Sequence, residues 1–180
     1  MTQVFIKKIF RPLKQPPLDR VAENEEWGDE PGGILTCPAC GNVHYEKKWH
    51  HVSDIPRNHL IKAQRRTRIC PACKMIRAHT FEGEIFIENF PVVYKEELFA
   101  LINAFGKRAS EMDPQDRIII VEKKQKRYWV ATTENQLAVK LAKKIRHVFH
   151  APALEVSYLP EPAEVVRINI PFSAPQSRVK

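Results

Sequence analysis

No stretch of this 180-residue chain approaches the roughly 20 consecutive apolar residues of a membrane span. The first ten residues carry Lys7 and Lys8 where a secretory leader needs an apolar run. Both absences point to the cytosol and to no membrane partner. The common catalytic signatures are missing too: there is no G-x-G-x-x-G, no P-loop, no H-E-x-x-H and no G-x-S-x-G. Asp113, Asp116 and Glu111 cluster before a strand, but helix-end and turn roles explain them. The expectation is a protein that is not an enzyme and takes no small-molecule substrate. The G-x-x-G clamp of KH domains and the spacings of helix-turn-helix and finger modules are also absent. Acidic residues are in deficit, 21 against 29 Lys and Arg, for a net charge of +8. That balance favours acidic partners such as nucleic acid. Hydrophobic residues make up 43% of the chain, enough to bury a core, so wholesale disorder is excluded.

Cysteine is scarce, and what there is falls in two identical tetrapeptides, Cys37-Pro38-Ala39-Cys40 and Cys70-Pro71-Ala72-Cys73. Two C-x-x-C knuckles supply four thiolates, the number that a closed tetrahedral zinc site needs. Gly41 follows the first knuckle and can take the positive φ of a tight turn. The 29 residues 41–69 between the knuckles exceed the usual spacing, but they can loop out. Two redox dithiols or two disulfides are the plainer alternatives; in a reducing compartment a duplicated pair favours metal. Four thiolates leave no open position for water, so the expected ion is one structural Zn²⁺ whose binding supplies folding energy. His44 lies four residues beyond Cys40, as a spare ligand or a neighbour of the site. The spacing also resembles rubredoxin, whose four cysteines hold iron and carry electrons, and this alternative stays open.

Charge is segregated along the chain. Residues 1–33 read as an extended basic arm, with Lys7, Lys8, Arg11, Lys14 and Arg20, followed by an acidic linker. Residues 34–80 form the zinc module. Its inter-knuckle loop carries Lys47, Lys48, Arg57, Lys62, Arg65, Arg66 and Arg68 against Glu46 and Asp54, with Trp49 and several histidines interleaved. These cations would neutralise phosphates, and Trp49 would offer a platform for a base. Pro56 to Arg68 is expected as a short helix with Leu60 and Ile61 inward. Residues 81–122 are acidic, and a second basic zone follows at Lys123, Lys124, Lys126 and Arg127, with Lys140, Lys143, Lys144 and Arg146 on the next helix.

Periodicity predicts, for residues 81–170, a strand at 85–87, a helix at 95–109, strands at 117–122 and 128–132, a second helix from Thr133, and strands at 154–158 and 165–170. Thr133 with Gln136 fits a capping box, and Leu137, Leu141, Ile145 and Val148 form the apolar stripe. The order β-α-β-β-α-β-β predicts an α+β fold: a zinc-knuckle module followed by a ferredoxin-like sandwich with one extra strand. Residues 171–180 read as a loose tail.

Three further segments carry a resemblance: Asp113-Pro114-Gln115-Asp116-Arg117-Ile118, Val130 through Ala138 with its Thr-Thr-x-x-Gln-Leu-Ala run, and Glu155-Val156-Ser157-Tyr158. Behind a C-P-x-C-G…C-P-x-C module, they make residues 34–170 resemble the nonsense-mediated-decay-three family. This is the zinc-bearing export adaptor of the large ribosomal subunit, and the chain is closer to its short prokaryotic relatives. The resemblance implies binding to ribosomal RNA and ribosomal proteins, without catalysis, in assembly, hibernation or an accessory role. The eukaryotic members' extra cysteines, domains and export signals are absent, so export is not implied. The alternatives are the iron carrier, a zinc-ribbon adaptor for another protein, and a DNA-binding regulator.

Overall fold

A computed structural model of the chain describes residues 33–62, 64–159 and 165–172. The expected N-terminal arm up to residue 32 and the tail from 173 lie outside the described residues. The fold is mixed α+β, with two sheets and four α-helices among the described residues. None of these helices is long and apolar enough to cross a membrane.

The first sheet has four strands, β1 (Gly33–Thr36), β2 (Val43–Tyr45), β3 (Lys48–His50) and β4 (Gln64–Thr67), in the order β3-β2-β1-β4. β1 is antiparallel to β2 and β2 to β3, while β4 lies parallel to β1. A parallel neighbour needs a crossover, and α1 (Arg57–Lys62) lies within it. The helix expected from Pro56 to Arg68 is thus cut short. Its second half is held as β4 by the register Leu35↔Arg66 and Thr36↔Thr67, so strand pairing overrides the helical propensity of a Gln-Arg-Arg run. The core of this module is small: Ile34, Val43 and Ile55 are buried, with Tyr45 and Leu60 packed at the side.

The turn between β2 and β3 puts Glu46 at φ 47° and Lys47 at φ 66°. Two successive left-handed residues in a two-residue hairpin are the type I′ arrangement, which ordinarily selects Asn-Gly. Here two β-carbons occupy it, at a cost of about 1 kcal/mol or more each.

The second sheet holds β5 (Gly83–Glu88), β6 (Ile118–Lys124), β7 (Arg127–Thr132), β8 (Glu155–Tyr158) and β9 (Val166–Pro171), in the order β6-β7-β5-β9-β8. Pairing is antiparallel except for β5 with β9, so the last strand sits between the first and the fourth. α2 (Pro71–Ala78) closes the first module; α3 (Lys95–Met112) and α4 (Asn135–Phe149) belong to the second. Ile85, Ile87, Val130, Ile168 and Ile170 bury one face of the sheet against Leu98 and Ile102 of α3 and Ala138, Leu141 and Ile145 of α4. β-Branched residues suit this pleated, fully covered surface. Each such side chain contributes about 1.5–3 kcal/mol on burial. Phe86, Trp129 and Arg167 occupy the opposite face, away from α3 and α4, with Glu84, which is buried although charged. Glu84 accepts from Arg167 Nε at 2.6 Å and Trp129 Nε1 at 3.2 Å, which satisfies its carboxylate.

Two local expectations fail. The cap of α4 is Glu134, with no side-chain cap bond; Thr133 Oγ1 instead donates to Gln115 O at 2.6 Å and accepts from Arg117 N at 2.8 Å. Thr133 therefore stitches the strand end to the 113–117 loop. Val148 is exposed, because in the last turn of α4 the inward position after Ile145 is taken by Phe149, which packs on the core.

Gly83 marks the closest approach of β5 to α4. A β-carbon there would lie 2.5 Å from Ala138 Cβ and 3.1 Å from Glu134 O. We predict that Gly83→Ala destabilises the protein by about 1–3 kcal/mol, since helix or strand must shift. Urea unfolding at unchanged m-value reads this. Conversely, Glu46→Asn with Lys47→Gly should raise the melting temperature, because the turn then meets its backbone requirement. A lowered melting temperature would show that this turn is unstrained.

Candidate metal centre

Each knuckle is shaped by its own backbone. In the first, Gly41 N donates to Cys37 O at 2.9 Å and Cys37 N to Asn42 O at 2.8 Å, with Gly41 at φ 77°. Nothing lies within 4 Å of a β-carbon built on Gly41, so conformation rather than space selects glycine there. The second knuckle is the start of α2. Cys70 is its N-cap, Pro71 its first residue, and Lys74 N donates to Cys70 O at 2.9 Å. This puts the positive end of the helix dipole beside the sulfurs and offsets negative charge there.

The four Sγ atoms lie within 4.8 Å of one another, with Cys40 and Cys70 at 3.7 Å. All four cysteines are free. A tetrahedron with metal–sulfur bonds of about 2.3 Å has edges of about 3.8 Å, whereas a disulfide requires about 2.05 Å. The cluster fits the first with a contraction of at most about 1 Å. Four sulfur donors, two buried and two half-buried, could hold a metal ion and would leave it no vacant position. Backbone N–H groups reach the cluster as well: Cys70 N donates to Cys37 Sγ at 3.4 Å and Cys73 N to Cys70 Sγ at 3.5 Å.

Without metal the sulfurs are unequal. Burial resists ionisation of Cys37, but N–H groups of Cys70, Ala39 and Cys40 outweigh it and bring the thiol down to about 6. Burial pushes Cys40 and Cys73 upward, and neighbouring sulfurs push Cys73 further. His44 is lowered, first by burial and then by the charges of His50 and Arg68, and its ring meets Trp49 edge-on at 5.4 Å.

Trp49 was expected to present its ring to a base. It is only 8% exposed and packs with Cys37, Cys70 and Ala72, beside Leu35. Its indole therefore packs against the cluster, and little of the ring is left open to a base. Lys47, Lys48, Arg57, Arg66 and Arg68 are exposed on the module, distributed over the β2–β3 hairpin, α1, β4 and the residue after β4. The side chains of Lys62 and Arg65 lie outside what is described. In the second zone, the β6–β7 turn consists of Gln125 and Lys126. Lys123 and Lys126 are exposed, but Lys124 Nζ lies 3.3 Å over the Trp129 ring and Arg127 stacks 4.3 Å over Phe86. Half of that zone thus leans on the protein's own aromatics.

The two zones are not merged. The module docks on the end of α3 and the loop before β6: His51 Nε2 donates to Ser110 O of the helix at 2.6 Å, and Ala72 N donates to Gln115 Oε1 of the loop at 3.1 Å. β6 has seven residues, about 23 Å of strand, so the β6–β7 turn lies a strand length from that junction. Asp113 Oδ1 accepts from Gln115 N at 2.8 Å, which is a turn role. Sequence reasoning missed the contacts of His51 and Gln115, because nothing in a pattern of charges or periods marks a partner 43 or 59 residues away. It also missed Arg167, the cation beside Phe86 on β9. No known family, no curated protein and no solved structure matches the chain.

Metal uptake should displace protons from Cys40 and Cys73, so affinity should rise with pH from 6 to 8 and fall where Cys37 also protonates, near about 6. Titration in weak buffer with a pH indicator measures the release; pH-independent affinity would contradict it. Cys70→Ser should expose Trp49 to quenchers while the five-stranded sheet stays folded.

Proposed function

We propose that the chain is a cytoplasmic RNA-binding protein that a single structural Zn²⁺ holds in shape, and that it docks on ribosomal RNA and proteins of the large subunit. The observation that carries this is the closed four-sulfur cluster at the base of a module whose outer surface is cationic. Zinc suits four thiolates in a tetrahedron and does no redox chemistry. A closed site has no vacancy for a reacting water, so the ion would order Lys47, Lys48, Arg57, Arg66 and Arg68 rather than act on a substrate. The resemblance of residues 34–170 to the nonsense-mediated-decay-three family supports the choice of the large subunit. The second sheet, read as ferredoxin-like with β9 inserted, is a scaffold often used to present a nucleic-acid surface.

A protein-binding adaptor is the second reading. Val92 and Val93, 72% and 76% exposed, with half-exposed Tyr94 form an apolar step before α3 that nucleic acid would not require.

Sedimentation of an extract at low salt decides between them. The expected outcome is co-migration with large subunits that is abolished by ribonuclease and lost steeply as salt rises. Protein that stays wholly ribosome-free would overturn the first reading, and a nuclease-resistant complex would favour the second. Purified protein should be colourless and contain one zinc per chain; a red colour with thiolate-to-iron bands would replace zinc by iron.

A further inference from the structure

The far end of the second sheet carries a hollow of about 570 Å³ lined by Lys143, Arg146, His147, His150 and Ala151. Four of these five residues are cationic or can become so. Lys143, Arg146, His147 and His150 follow each other at intervals of three, one and three, which places them on one face of α4 and its cap. α4 has no acidic residue from Asn135 to Phe149. The ion pairs among the described residues lie elsewhere, at Lys95–Glu96, Lys107–Glu111, Lys124–Glu122 and Arg167–Glu84. Like charges at three- and four-residue spacing repel. The negative end of a helix dipole offsets about half a charge, which leaves most of this excess without a counter-charge.

The topology adds a second observation. β7 runs away from the β6–β7 turn, and α4 runs back, so the helix ends at the side of the sheet where that turn lies. Phe90 fixes this: its ring is 4.9 Å from Phe149 at the end of α4 and 6.2 Å from Tyr128 at the start of β7. The hollow and the exposed cations Lys123 and Lys126 therefore belong to one end of the domain. The metal module joins the other end, through Gln115.

We propose that this hollow binds phosphate groups of a single-stranded RNA backbone, as a contact site separate from the metal module. Lys143 and Arg146 supply the fixed charges, and the hairpin cations extend the track. A volume of this size accepts a nucleotide unit. The inference rests on the RNA-binding reading and deepens it: the α4 end would hold RNA at a distance from the cysteine cluster, whatever the cluster presents.

The test uses the full chain and a mixed-sequence RNA of about 20 nucleotides. Each phosphate contact on a single strand adds about 0.7 to the slope of log affinity against log salt. Lys143→Gln with Arg146→Gln should lower that slope by about 1.4 and weaken binding roughly 20-fold near ~0.1 M salt. The charge-conserving pair Lys143→Arg with Arg146→Lys should keep the slope, and both variants should melt as the parent does, since these side chains are exposed. If the parent binds and the glutamine pair keeps its slope, this inference fails and the RNA reading stands. If the parent binds no RNA, both fall. Inorganic phosphate that shifts the His147 and His150 resonances of a chain indifferent to RNA would make the hollow a free-phosphate site and overturn the proposal.

Discussion

The fold of the first module depends on the meeting of four sulfurs drawn from two places in the sequence. Among the described residues, β1, the hairpin, α1 and β4 enclose Ile34, Val43 and Ile55 as an apolar core, with Trp49 and Ala72 laid against the cysteines themselves. These described side chains by themselves contribute too little to offset the conformational entropy of about thirty ordered residues. A shared ion would close the deficit, and the hydrogen bonds around Cys37 and Cys70 already preset the sulfurs for it. The second module needs no such help. Its sheet is covered on one face by two amphipathic helices whose inward residues are fully buried.

These unlike modules are fastened by polar contacts. Gln115 receives the N–H of Ala72, inside the second knuckle, and Ser110 receives the His51 ring. The loop that carries Gln115 is tied to Thr133 at the entry to α4. Metal cluster, loop and helix entry thus form one hydrogen-bonded seam, with Gln115 and Thr133 as its links.

Much of this was legible in the sequence. The paired tetrapeptides foretold the sulfur cluster because knuckle chemistry is local. The helices and strands of the second module announced themselves through their periods, with ends displaced by a few residues. The failures share a cause. The 64–67 run, Trp49 and Thr133 were judged on local propensity, and each was decided by a partner distant in the chain: β1, the cysteine cluster and the 113–117 loop. The position of β9 was not legible in the sequence for the same reason. A hydrophobic run at 166–170 looks identical at the edge of a sheet or in its middle, and only the pairing with both β5 and β8 reveals the second.

That central position of β9 bears on how the protein is made. β5, β6, β7 and β8 all leave the ribosome before it, yet β5 and β8 have no edge in common until it arrives. For that interval β5 carries an unpaired border, and the aliphatic undersurface of the sheet is open beside it. Unpaired borders of this sort are prone to pair with other chains. Nascent protein would therefore stay vulnerable until β9 is free to pair with β5 and β8.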